Sequence, residues 1–317
     1  MIPEVSVIIP VFNRRAMLRE AAASVLAQRG TRFELIIIDD GSTDGTFDDL
    51  QRLKSEHCAT LHIEHTSNRG VAAARNLGVA LARAPLLAFL DSDDLWMPDK
   101  LARQLEFMRA HPDCSISQCE ERWIRGGRRV NPGLRHRKRA GDIFIASLRT
   151  CLVSPSAVIM RVDLFRAHAG FDESMRACED YDLWLRILVA HEVSLLGEVL
   201  LERRAGHADQ LSATVPALDR YRILALAKLL GDPRLSGARR EAVATVLGEK
   251  CAIYANGLRR RDRDDAARVV EQVGAHALAE SCLAPGQSSM LAIAREALRS
   301  LIDSNQRLDR PAMDARN

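Results

Sequence analysis

Three carboxylates fall within four residues at Asp91-Ser92-Asp93-Asp94, directly after the apolar run Pro85-Leu86-Leu87-Ala88-Phe89-Leu90. An apolar run ending abruptly in acid is how a buried strand delivers ligands to the carboxyl edge of a sheet. Unpaired like charges repel and raise one another's pKa, so a partner cation explains such a cluster well, and hard carboxylate oxygens suit Mg2+ or Mn2+. An ion held by one or two protein carboxylates keeps coordination positions for a diphosphate. The competing reading is a solvated acidic turn that caps the helix beginning near Pro98.

The flanking sequence dictates the elements that must position these acids. Val5-Ser6-Val7-Ile8-Ile9 is a β-branched run halted by Pro10, followed by Val11-Phe12-Asn13-Arg14 and a helical pattern from about Ala16 to Gln28. Phe33 to Ile38 reads as a second strand, ending in the acidic, turn-rich Asp39-Asp40-Gly41-Ser42-Thr43-Asp44-Gly45-Thr46. A third strand is predicted at Leu61 to Glu64, and Ser67-Asn68-Arg69-Gly70 then opens an Ala-rich helix at Val71. Apolar strands alternating with helices predict a parallel sheet covered on both faces, with ligands at the strands' carboxyl ends. Asn13, Asp39, Asp40, Asp91 and Asp93 then converge on one crevice, whereas a single acidic loop end would more often be a helix cap.

Four segments carry a family resemblance. Pro10-Val11-Phe12-Asn13, Asp39 to Thr46, Asn68-Arg69-Gly70 with Ala74-Arg75-Asn76-Leu77-Gly78, and Leu90-Asp91-Ser92-Asp93-Asp94 resemble, in order and spacing, the donor half of family 2 glycosyltransferases with the GT-A fold. The resemblance covers about residues 3 to 212. It implies a nucleotide-diphospho-sugar donor, UDP by default, bound through Mg2+ or Mn2+. Carried over by position, Asp40 contacts the base, Asp39 supports that loop, Asp91 meets the ribose or the metal, and Asp93 is the metal ligand. Pro10, Phe12, Asn13, Arg75 and Ser92 fall in the same implied donor site.

Farther along, Ser154 to Met160 reads as a strand, Val162 to His168 as a short helix and Gly170-Phe171-Asp172-Glu173 as a turn. In Cys178-Glu179-Asp180-Tyr181-Asp182-Leu183-Trp184, the spacing of Leu183, Arg186 and Ile187 is helical. Glu179 and Asp180 would then lie in a first turn, where the helix dipole favours anions by about 0.3 to 1 kcal/mol. Ordinary helix-terminal charge accounts for them on physical grounds. Glu-Asp before an aromatic and a Leu-Trp helix is, however, similar to the family's catalytic-base motif, which implies Asp180 as base with Glu179 beside it. An inverting displacement needs one carboxylate opposite the leaving group, whose charge a metal can take up without a covalent nucleophile. His207 is a lone loop histidine, ordinarily solvated. In its setting it resembles the family's closing His-x-x-Gln-x-Ser segment and becomes a second metal candidate, with Arg204 placed to screen a diphosphate.

The 317 residues exceed the usual size of one domain. The predicted fold class is α/β, a GT-A domain over 1–215 (donor half 1–112, acceptor half 113–215), with an all-α appendage over 216–302 and a disordered tail over 303–317. A net charge of +3 implies no nucleic-acid partner, and seven scattered cysteines without a C-x-x-C pair imply reduced thiols. The absence of a 20-residue apolar run or a leader pattern predicts a soluble cytoplasmic protein. Arg122 to Arg139 holds eight Arg and Lys residues with His136 and no acid. It reads either as a solvated hairpin turning at Gly126-Gly127 or as a cover over the site, binding an anionic acceptor or the inner face of an anionic membrane. RNA is disfavoured, because only Trp123 offers a stacking surface.

Helices are predicted at Tyr221 to Leu230, along a stripe of Val243, Val246, Leu247, Ile253 and Tyr254, along Ala266, Val269, Val270 and Val273, and at Met290 to Ile302. They suit packing on the catalytic domain or homo-oligomer formation with a second copy. The function implied is sugar transfer to a glycan or lipid-linked acceptor, in surface polysaccharide synthesis. A sugar-1-phosphate nucleotidyltransferase would carry a G-x-G-T-R loop after strand one, which Pro10 to Arg14 lacks. A catalytically silent nucleotide-sugar sensor or scaffold acting through the C-terminal helices is the alternative from another class.

Overall fold

β1 (Val5–Val11) is buried at every position, which is why its sequence is almost entirely apolar. The computed structural model describes residues 2–57, 59–207, 215, 217–235, 237–280, 292 and 295–302. These fall into two compact units, Met1–Thr214 and Val215–Asn317.

In the first unit, β1 is flanked in parallel by β2 (Phe33–Asp39) and β4 (Leu86–Phe89), and β3 (Leu61–His65) pairs with β2. The helices α1 (Arg15–Leu26), α2 (Thr46–Glu56) and α3 (Val71–Leu81) make the crossovers. Pro10 costs no ladder bond. The last β1–β4 rung is Ile8 opposite Phe89, so Pro10, two residues on and facing the same side, has no strand to donate to. Gly78 brings α3 against β1, where a Cβ would stand 2.5 Å from Cγ2 of Ile8.

Beyond β4 the sheet is mixed, not uniformly parallel. The strands β5 (Leu95–Trp96), β6 (Ile116–Arg125), β7 (Arg128–Val130), β8 (Val158–Arg161) and β9 (Ser194–Ala205) give the order β3-β2-β1-β4-β8-β6-β9-β5, with β7 on β6, nine strands among the described residues. β8 runs antiparallel to both β4 and β6, while β9 runs parallel to β6. α4 (Lys100–Ala110), α5 (Phe144–Ser147), α6 (Val162–Ala167) and α7 (Glu179–Leu188) complete the unit.

Two local readings are corrected. Strand β8 starts only at Val158, because Pro155–Ala157 forms a 3-10 turn with proline in its opening position. Leu201 to Ala205, polar apart from its ends and lying just before the His207 loop, is still strand. β9 continues to Ala205, its two apolar runs joined across a bulge at Gly197-Glu198, which lie between the rungs Cys119–Leu196 and Glu120–Val199.

The second unit contains α8 (Asp219–Leu229), α9 (Gly237–Arg259) and α10 (Asp264–Glu280). Val243, Leu247, Cys251 and Leu258 of α9 are buried, as are Ala267, Val270, Val273 and Ala277 of α10, but Ile253 is 64% exposed and does not belong to the stripe. The helices approach closely at Gly274, where a Cβ would meet that of Cys251 at 3.0 Å. Met290 and the 303–317 tail lie outside the described residues.

Candidate active site

The acidic turn hangs from β4 by backbone bonds. Leu90 N–H donates to the Ile8 carbonyl and Asp94 N–H to that of Asp91, both at 3.0 Å. Carboxylate oxygens of Asp91, Asp93 and Asp94 lie within 4.8 Å of one another. Their roles in the turn differ. Asp94 is buried and accepts from the Ser156 hydroxyl at 2.6 Å and the Arg204 backbone N–H at 2.9 Å, pinning the turn to the 3-10 segment and to β9. Burial, with Asp93 and Asp91 beside it, pushes the Asp94 carboxyl well above the ordinary range. The sequence counts Asp94 in the acidic cluster but assigns it no role of its own; its structural role depends on Ser156 and Arg204, far along the chain.

Asp93 meets Arg14 Nη1 at 2.6 Å and His207 Nε2 at 2.8 Å, both on the same oxygen. Arg14 was also missed; it follows Asn13 in the loop after β1, a place that alone does not single it out. Arg204, the last but one residue of β9, donates from Nε to the Asp93 carbonyl and pairs with Glu20. Gln210 and Ser212 of the closing segment lie outside the described residues.

Arg75, on α3, is 4% exposed and joins two of the sequence-selected groups, reaching Asp91 through Nη2 at 2.6 Å and Glu179 through Nη1 at 2.5 Å. Its guanidinium also lies over the Phe171 ring at 5.2 Å. The two carboxylates hold Arg75 firmly charged despite its burial. Burial, aided by Asp180 next door, pushes the Glu179 carboxyl up to about 7 against the pull of Arg75. Glu179 and Asp180 open α7 after Cys178, whose left-handed φ of +59° turns the chain into the helix. Asp180 is half-buried; the Cys151 thiol approaches it at 3.7 Å and burial keeps that thiol protonated.

The two Asp residues after β2 serve the loops in this structure. Asp39 is fully buried and accepts from Ser42 N–H at 3.0 Å, with His65 Nδ1 at 2.9 Å. Asp40 gives both oxygens to the backbone N–H groups of Arg69 and Gly70, each at 2.8 Å, and burial raises its pKa. Gly41, at φ +82°, permits this approach, since a Cβ there would stand 2.9 Å from the Asn68 nitrogen. Asn13, at φ +50°, ties the β1 loop to the β2 loop by accepting from Thr43 N–H at 2.7 Å and donating its own N–H to Ser42 at 2.9 Å. Phe12 is 46% exposed beside it, and Ser92 is buried in the acidic turn. The structure therefore gathers Arg75, Asp91, Asp93, Glu179 and His207 into one connected set, and uses Asp39, Asp40 and Asn13 to hold its loops.

The donor set fits a hard divalent ion. Arg75 and Arg14 each engage one oxygen of Asp91 and Asp93, leaving the other oxygen of each without a protein donor among the described residues.

Residues 6–168 match the family described as Glycosyl transferase family 2. An uncharacterized glycosyltransferase of Rickettsia felis is 36% identical over 203 residues, which are 63% of this chain and 33% of the relative. This chain thus spans about a third of the length of that relative and of a similar one from Rickettsia conorii. A UDP-Glc:alpha-D-GlcNAc-diphosphoundecaprenol beta-1,3-glucosyltransferase of Escherichia coli is 30% identical over 188 residues, covering 58% of this chain and 70% of the relative. Among solved structures, S. aureus TarS 1-349 in complex with UDP-GlcNAc aligns with a TM-score of 0.59 at 18% identity, over 96% of this chain and 92% of that one. A likeness at that identity speaks for the fold alone.

Proposed function

Because the chain belongs to glycosyl transferase family 2, with the GT-A fold in its α/β unit, we propose that it transfers a sugar from a nucleotide-diphospho-sugar, with UDP as nucleotide, to a glycan or lipid-linked acceptor with inversion. One observation carries the reading: Arg75 bridges Asp91 of the acidic turn to Glu179 of the Glu-Asp pair, which supports a single site for the donor and base roles proposed for them. Asp91, Asp93 and His207 are the residues that would hold Mg2+ or Mn2+. When bound, the ion supplies charge stabilisation to the departing diphosphate.

The chain's own residues supply the rest. Arg14 and His207 orient Asp93; Arg75 orients Asp91 while keeping Glu179 in place. Asp180, partly open to solvent, takes the proton of the acceptor hydroxyl, a step for which a positioned base typically contributes 10²- to 10⁴-fold. Phe12 offers a ring face at the mouth of the loops braced by Asn13, Asp39 and Asp40, where the base would lie. The lipid-diphosphate acceptor named for the Escherichia coli relative supports a lipid-linked acceptor and a role in surface polysaccharide synthesis here.

The test is thermal stability against a panel of nucleotides and nucleotide sugars with Mn2+, Mg2+ or EDTA, on the unmodified chain and Asp93→Asn. A ligand at 100 times its Kd should stabilise by about 2.7 kcal/mol, a shift of several degrees. The proposal requires stabilisation by a nucleotide diphosphate that needs metal and is lost in Asp93→Asn. Product that keeps the donor's anomeric configuration would exclude a single inverting displacement.

A further inference from the structure

The basic stretch between the two halves of the site is sorted by the fold into paired and unpaired cations. Its inner members are neutralised from outside the stretch: Arg122 by Glu202 at 2.8 Å and the buried Lys138 by Glu121 at 3.2 Å. Arg125, Arg128, Arg129, Arg135, Arg137 and Arg139 are exposed, and none forms a salt bridge among the described residues. Arg135 meets only the neutral ring of His136, at 3.0 Å.

The outer part projects into open space. The β6–β7 hairpin turns on Gly126 and Gly127, and a Cβ added at either, or at Gly133, would meet nothing within 4 Å. Immediately after Gly133, the 3-10 turn Leu134–His136 presents Leu134 at 87% exposure, the highest among the exposed large hydrophobic residues described. A large apolar side chain held in water, in a segment that carries six exposed arginines without a carboxylate partner among the described residues, is the pattern of a surface that meets an interface both anionic and apolar.

We propose that residues 125–139 form a docking surface for an anionic lipid bilayer, with the arginines on the lipid phosphates and Leu134 entering the headgroup layer. Charge complementarity alone would also suit a soluble polyanion, but such a ligand has no use for Leu134. Nucleic acid is a poorer fit, because Trp123 is half-buried, with the Arg203 guanidinium over its ring at 4.9 Å and the His136 ring 5.3 Å away.

The root of this surface adjoins the acidic turn. Ile124 is paired with Arg204, whose N–H holds Asp94, and a Cβ at Gly206, just before His207, would stand 2.8 Å from Arg125. Docking therefore brings the cleft to the membrane plane, where a lipid-linked acceptor would be presented. The surface itself goes beyond the transferase reading and is tested without nucleotide, so either can fail alone.

The experiment is sedimentation of the full chain with vesicles of phosphatidylcholine, alone or with phosphatidylglycerol, at low and high salt. Parallel arms use soluble polyphosphate, Arg128→Ala/Arg129→Ala/Arg135→Ala and Leu134→Ser, with thermal melts confirming that both variants fold. The proposal expects binding only to the anionic vesicles, weakened by salt. The triple variant should bind them about 100-fold more weakly, at about fivefold per arginine, and Leu134→Ser several-fold more weakly. Equal binding to neutral vesicles, or an unchanged triple variant, would overturn it. Polyphosphate binding as tight as vesicle binding, together with an indifferent Leu134→Ser, would overturn it in favour of a soluble polyanion.

Discussion

Replacing Glu179 with Gln separates two opposed effects inside the site. Burial disfavours the Glu179 charge, as does Asp180 beside it, while Arg75 favours it from 2.5 Å and Asp91 draws on the other arm of the same guanidinium. The balance raises the carboxyl from its ordinary 4.5 to about 7, so burial wins. A carboxyl whose folded pKa lies above its unfolded one stabilises fully below the unfolded value and loses that contribution as pH rises through the folded value. Here the loss begins near pH 4.5 and approaches about 3 kcal/mol above pH 8. Glutamine still accepts from Arg75 and cannot ionise, and Arg75 retains Asp91. Glu179→Gln should therefore match the unmodified chain in thermal stability at pH 5 and exceed it at pH 8.5, by about 6 to 12 °C at about 2 to 4 °C per kcal/mol. The assay is thermal unfolding by circular dichroism across that pH range, in EDTA. A variant less stable at pH 8.5, or a difference that ignores pH, would mean that the ion pair with Arg75 outweighs burial, and the argument would fail.

Other perturbations probe separate parts of the molecule. Asp180→Asn should lower kcat by about 10²- to 10⁴-fold while leaving metal-dependent nucleotide binding intact in the thermal-shift assay, because the base acts on the acceptor; loss of nucleotide binding as well would assign Asp180 to the donor site. Gly78→Ala forces a methyl to 2.5 Å from the buried Ile8 side chain and should cost about 1 to 3 kcal/mol in denaturant titration. Lys100 is fully buried 4.0 Å from the Trp96 ring centroid with no hydrogen-bond partner for its ammonium among the described residues, and burial lowers its pKa from 10.5 to about 8. That depression withholds stability at neutral pH and restores it as pH rises through 8 towards 10.5. Lys100→Met should then be at least as stable as the unmodified chain at pH 7, with an advantage that shrinks by pH 10; marked destabilisation at pH 7 would show that the contact with Trp96 outweighs desolvation.

Much of this protein was decided by local sequence. Strands β1, β2 and β4 are largely apolar runs and β3 alternates, the loops after β2 and β4 are marked by acid, and Gly126-Gly127 marks a hairpin turn, because periodicity and turn chemistry act over a few residues. Asp91 and Asp93 of the acidic turn could be named from the same short-range signals, whereas Glu179 and Asp180 were singled out only by the family resemblance. What each acid touches could not. Arg14 reaches Asp93 across 79 positions and Arg75 reaches Glu179 across 104, and no periodicity links such pairs. The antiparallel insertion of β8, the extension of β9 to Ala205 and the placing of Asp94 between Ser156 and Arg204 likewise depend on chain segments far apart. The basic stretch shows the division clearly: its charge was plain in the sequence, but Glu121 and Glu202 select which cations are cancelled and which remain. Charge pairing depends on distance through space and on the burial that strengthens it, and both exist only once the sheet has closed.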